Sequence, residues 1–143
     1  MCSYCGCRAI APIDRFSAEH DEIINATGQL RRTAATGDHD ATQAAADDLA
    51  VLLEQHTRAE EDTLFAALRS DPEFAHHIAV LCTEHCEIGE VLAQVSAGDL
   101  ESVAALEHSL REHIDKEENG LFPAAVIALD GATLARLAER ADP

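Results

Sequence analysis

The sequence has no tryptophan, one tyrosine, one methionine and four phenylalanines, and its seven glycines and four prolines are scattered singly along the chain. Aromatic and β-branched residues are too sparse to furnish the alternating faces of a sheet protein. No apolar run reaches the length of about 18 residues that a membrane-spanning helix needs. Met1-Cys2-Ser3-Tyr4-Cys5-Gly6-Cys7-Arg8 lacks the apolar segment of a secretory signal, so a cytoplasmic location is expected. Positive charge is also scarce: 10 Lys and Arg stand against 27 Asp and Glu, a formal net charge of −17. Such a surface repels phosphate backbones and anionic bilayers, which argues against nucleic acid and membrane as partners.

What remains is rich in strong helix formers, chiefly Ala, Leu and Glu. At 143 residues, 47% of them apolar, there is material for one core and no room for two. Residues 1–11 read as a cysteine-bearing tail ending at Pro12, and residues 12–143 as one helical bundle with a C-terminal extension. Four stripes at steps of three and four follow. The first carries Phe16, His20, Ile23, Thr27 and Leu30 and stops at Gly37. The second, from about Asp40, carries Leu49, Leu52, His56, Glu60, Leu64 and Leu68 and ends before Asp71-Pro72. Ile78, Leu81, His85, Ile88, Leu92 and Val95 form the third, which closes at Gly98. The fourth has Val103, Leu106, Leu110, His113, Glu117 and Leu121, and Asn119-Gly120 before Pro123 is expected to kink or break it. A short helix from about Ala132 to Ala141 is expected to cap the bundle. Short connections between comparable helices imply an all-α, antiparallel up-down four-helix bundle.

Each apolar seam is interrupted by a histidine: His20, His56, His85 and His113. In the second and fourth helices a glutamate follows on the same face, as His56-x-x-x-Glu60 and His113-x-x-x-Glu117. The chain also repeats itself here. His56 to Phe65 matches His113 to Phe122 in His, both Glu, Leu and Phe, and Glu19-His20 echoes Glu84-His85. Two similar halves are what a two-metal site requires. Left without partners, each buried polar group would cost about 1–3 kcal/mol, and together they would rival the roughly 5–15 kcal/mol of net stability in a domain. Metal ions supply the partners.

Imidazole and carboxylate donors without a required thiolate suit iron or manganese better than a closed zinc site. If both glutamates bridge, each ion gains two histidines and two carboxylate oxygens. Positions are then left for a bridging oxide or hydroxide and an exogenous ligand. The expected cofactor is thus a pair of non-haem irons held by His20, His56, Glu60, His85, His113 and Glu117. Glu61 and Glu118 adjoin the chosen carboxylates, and a register shift at Asn119-Gly120 could substitute Glu118 for Glu117. Glu19 and Glu84 are placed to receive histidine N–H groups. His39, His76, His77 and His108 fall off the inward stripes and read as surface residues.

This pattern of His20, His56-x-x-x-Glu60, His85 and His113-x-x-x-Glu117, with Leu-Phe after each glutamate, resembles the hemerythrin-like (HHE cation-binding) family from about Asp14 to Leu129. The resemblance implies a four-helix bundle with a di-iron centre on those positions. Oxygen-carrying hemerythrins have a fifth histidine one turn after the third, where this chain has Gly89, so one iron should be more open. The four-His, two-Glu set is similar to that of proteins implicated in repairing damaged iron centres, and to bacterial relatives tied to nitric oxide or peroxide handling.

The resemblance therefore implies a small ligand (O2, NO or H2O2) and a role in oxidative or nitrosative stress. If the protein is an enzyme, it is a di-iron oxidoreductase decomposing peroxide or reducing NO. The alternatives are a non-enzymatic O2-binding or O2/iron-sensing module, or iron delivery to damaged iron–sulfur centres. Cys2, Cys5, Cys7, Cys82 and Cys86 leave room for a protein or thiol redox partner, with the tail folded over one end of the bundle.

Overall fold

The computed structural model describes residues 6–141, and among them every regular element is helical. Four long helices, α1 (Ile13–Ala35), α2 (His39–Glu60), α3 (Pro72–Ser96) and α4 (Val103–Lys116), pack as a ring: α1 on α2, α2 on α3, α3 on α4 and α4 back on α1. Their ends carry the expected punctuation. Gly37 and Gly98 adopt φ of 76° and 108°, a left-handed conformation that terminates a helix cheaply only at glycine. The Asp38 carboxylate caps α2 by accepting from the Ala41 N–H at 3.0 Å, and Asp71 caps α3 by accepting from Glu73 at 2.9 Å. Pro72 opens α3, where its missing N–H is harmless.

Two apolar clusters fill the interior. One gathers Ile13 and Phe16 of α1, Phe74, Ile78 and Leu81 of α3, and Leu64, Leu121 and Phe122 from beyond α2 and α4. The other joins Leu30, Leu49, Leu92 and Leu106 toward the opposite ends of the same helices. The ionisable side chains lie between the two clusters. A C-terminal helix, α5 (Gly131–Ala141), lays Leu137 and Ala141 on the first cluster and packs against the segment after α2.

The kink or break expected at Asn119-Gly120 takes the form of a widened turn, and the second helical run carries the same feature. After α2 the chain makes a π-helical turn over Glu61–Phe65 and resumes α-helix at Ala66–Leu68. After α4 it makes a second over Glu117–Leu121 and resumes at Phe122–Ala128. Pro123 falls in the first turn of the helix that resumes at Phe122, where the N–H that proline lacks is least needed. Asn119-Gly120 sits in the widened turn itself.

Of the N-terminal cysteine segment, Cys2 and Cys5 lie outside the described residues. Cys7–Ala9 forms a 3-10 turn against α1 and the Phe122–Ala128 stretch. Arg8 fastens it, donating to the Ser17 carbonyl at 3.0 Å and to Asp21 at 2.7 Å.

Candidate metal centre

His20 comes from the middle of α1, His56 and Glu60 from the last turns of α2, His85 from α3, His113 from α4 and Glu117 from the π turn that follows it. The i,i+4 spacing aims His56 with Glu60, and His113 with Glu117, along one helix face. All six side chains meet. They form two groups of four, His20, His56, Glu60 and Glu117, and Glu60, His85, His113 and Glu117. Within each group one donor atom per residue lies within 4.8 Å of the others, and both glutamates belong to both groups.

The two groups are near mirror partners of one internal repeat. His56 Nε2 stands 3.3 Å from Glu60 Oε1, and His113 Nε2 stands 3.1 Å from Glu117 Oε1. His20 Nε2 lies 3.0 Å from Glu117 Oε2, and His85 Nε2 lies 3.5 Å from Glu60 Oε2. Each glutamate thus turns one oxygen to each group. Although these atoms are close, their angles do not make hydrogen bonds. The four Nε2 atoms and the four oxygens of Glu60 and Glu117 are all buried without a hydrogen-bond partner among the described residues. At about 1–3 kcal/mol for each unsatisfied atom, this arrangement would consume a small domain's stability. Lone pairs converging on common points, with imidazole and carboxylate donors only, fit a metal site.

The outer imidazole nitrogens are all engaged. His20 Nδ1 pairs with Glu118 at 2.8 Å, His56 Nδ1 with Glu19 at 2.7 Å, His85 Nδ1 with Glu61 at 2.7 Å and His113 Nδ1 with Glu84 at 2.9 Å. An ionised carboxylate only accepts, so each Nδ1 carries a proton and each Nε2 is the nitrogen that faces inward, free to act as a donor once any proton on it is displaced. Glu19 is itself held by Arg15 at 2.7 Å, and Glu84 by Lys116. The π turns explain the doubled glutamates. Where each begins, consecutive residues reach both sides of a single ring on another helix: Glu60 and Glu61 grip His85, and Glu117 and Glu118 grip His20. Glu117 belongs to both donor groups, whereas Glu118 pairs with the outer nitrogen of His20.

The Leu-Phe pair of the repeat also has its reason. Phe122 stacks on His20 with centroids 5.6 Å apart and planes within 6°, and Phe65 stacks on His85 at 5.6 Å and 7°. Sequence reading found the phenylalanines as repeat members but not as ring supports. Their recurrence at a fixed offset from each Glu-Glu pair was the available signal.

Electrostatics follow from this packing. Burial pushes the His56 and His85 rings toward neutrality, but Glu60, Glu117 and the flanking carboxylates outweigh it and raise them to about 10 and about 11. His20 is raised too, against its own burial, by Glu117 and Glu118. Burial raises Glu60 and Glu117, yet the surrounding imidazoles carry both below the usual carboxylate range, Glu117 well below it. Without metal the site is a cage of ion pairs. A cation would replace the inward protons.

On the histidine side lies a cavity of about 580 Å³, floored by His20, His56, His85 and His113 and walled by residues of all four long helices. Gly89 lines it, and a Cβ placed there would meet nothing within 4 Å. The place of the fifth histidine is open space.

The other singled-out residues lie elsewhere. His39, His76 and His108 are exposed and His77 is half-buried. No cysteine joins either donor group among the described residues. Cys82 is half-buried against the core, and burial followed by the Glu61 charge pushes its thiol above the ordinary value, the opposite of an activated thiolate. Cys86 is exposed. No helix among the described residues is long and apolar enough to cross a membrane.

Comparison with known proteins agrees with this geometry. No curated protein and no solved structure matches the chain at a significant level. The family model for the hemerythrin HHE cation-binding domain matches residues 11–125, a span that contains all six converging side chains. With most of its length matched by that model and its histidines and glutamates gathered into two cation-sized groups, the chain belongs to the hemerythrin HHE cation-binding domain family.

Proposed function

We propose that this protein is a non-haem di-iron protein whose centre reacts with peroxide, NO or O2 in protection against oxidative or nitrosative stress. One observation carries the reading: two four-donor groups share both glutamates, so each would offer an ion two imidazoles and one oxygen from each of two bridging carboxylates. Such a set leaves open positions and suits iron better than a closed tetrahedral zinc site. The scaffold would be an antiparallel up-down bundle, supported by the opposite helix ends that gather in the two core clusters.

A redox-active metal pair bound there would supply electron transfer and Lewis acidity toward a small oxidant. The chain's own residues do the rest. Glu19, Glu61, Glu84 and Glu118 hold the four imidazole Nδ1 protons and fix ring orientation. Phe65 and Phe122 cover two rings and keep water from that side. The cavity gives a small ligand access from the histidine side.

Metal analysis with the ultraviolet–visible spectrum of air-purified protein, followed by peroxide or NO addition, tests this. Two irons per chain and consumption that scales with iron content are expected. Iron-loaded protein inert to peroxide and NO overturns the redox role, and reversible O2 binding without turnover assigns a carrier or sensor instead. One zinc or no metal overturns the centre.

A further inference from the structure

The cavity is far larger than its small ligands need. A water molecule takes about 30 Å³ of liquid volume, and a diatomic is of similar size, whereas this cavity holds about 580 Å³. That volume falls within the roughly 300–1,000 Å³ of sites that enclose whole organic ligands. Its shape is long. Along α3 the lining runs from His85 to Ala97, about 18 Å at the helical rise of about 1.5 Å per residue. Its deep walls are Ile23, Leu53, Ile88, Leu92, Leu110 and Ile114, all apolar. Asp47 of α2 and Ser96 of α3 bond to each other at the end away from the histidines, and Glu54 and Thr57 line the cavity close to His56. Among the described residues no lysine or arginine lines it, and the chain carries a charge of −17.

We propose that this cavity binds a single aliphatic chain with a small uncharged oxygen head group, an alkyl hydroperoxide, with the head at the four histidines and the chain running out between α2 and α3. A long, largely apolar lining with four histidines at one end fits one chain and one head. Asp47 and Glu54 in the lining, and the lack of basic residues there, disfavour the fatty carboxylate of equal length. The identity of the head group rests on the peroxide-reactive centre proposed above, but the binding of the chain does not, so the two can fail separately.

The test is a binding titration with straight-chain alcohols, as unreactive stand-ins for the hydroperoxides, and with the matching carboxylates. It is run on iron-loaded and on chelator-treated protein. Alcohol affinity is expected to rise about three- to fourfold per added methylene until the cavity is filled, with each carboxylate binding more weakly than its alcohol. Gly89→Phe, whose side chain has room to enter the cavity, and Leu53→Trp are each expected to abolish chain binding while iron content stays at the wild-type level. Affinity independent of chain length, carboxylates binding as well as alcohols, or unchanged binding in both variants overturns the proposal. Chain binding retained by chelator-treated protein supports the cavity assignment, and a protein that binds the chain but takes up no iron fails the di-iron reading alone.

Discussion

Every imidazole of the centre turns one nitrogen inward and has the other gripped from outside, and the two sides have different consequences. The inward Nε2 atoms and the oxygens of Glu60 and Glu117 have no hydrogen-bond partner among the described residues, and on the proposed di-iron reading a cation supplies it. His56→Ala or Glu117→Ala is expected to lose at least one metal per chain and to lower the melting temperature. The donors left behind stay buried and unpaired at about 1–3 kcal/mol each. Metal analysis and thermal melting check it, and His76→Ala, at an exposed position, serves as the silent control. The outward grip acts on affinity. Glu84 holds the His113 ring at 2.9 Å and is anchored by Lys116. Glu84→Ala is expected to weaken metal binding about 10- to 100-fold, measured by competition with a chelator, while Glu112→Ala, in an exposed pair with His108, changes nothing.

At the scale of the element, the helices and their caps were legible because they obey local rules. Apolar stripes, Gly37, Gly98 and Asp71-Pro72 each act within a turn or two. The six converging side chains were legible because polar residues at fixed offsets in an apolar seam must find partners. The π turns were not legible. Their signature is an added residue in one turn, which no residue type announces, and Asn119-Gly120 read only as a kink or break. The partners of the outer nitrogens were visible only as neighbours in sequence, since each pairing crosses between helices. The cavity is likewise a property of the assembled ring. The π turn makes a prediction of its own. Deleting exposed Asn119 would restore regular α-helix and rotate everything beyond it by about 100° relative to Glu117. Phe122 would leave His20, and metal stoichiometry and stability should both fall. Asn119→Ala, which preserves the added residue, should retain both, and equal behaviour of the two variants would mean the widened turn has no bearing on the site.

For the whole molecule the centre couples stability to pH. In metal-free protein His56 and His85 have folded-state pKa values raised from 6.5 to about 10 and about 11, so their contribution to stability is complete below pH 6.5 and is lost as pH climbs through 10. Glu60 and Glu117 are lowered from 4.5, so theirs is present above that value and lost in acid. Metal-free protein should therefore melt highest between pH 4.5 and 6.5 and progressively lower toward pH 10. Metal binding displaces the inward protons and so strengthens with pH over the same interval. The gap in melting temperature between metal-loaded and chelator-treated protein should then widen steadily from pH 6.5 to 10. Thermal melts of the two forms across that range decide it. A metal-free melting temperature that holds level or rises toward pH 10 would mean that the carboxylates do not keep these rings charged, and the cage of ion pairs would have to be abandoned as the resting state of the empty site.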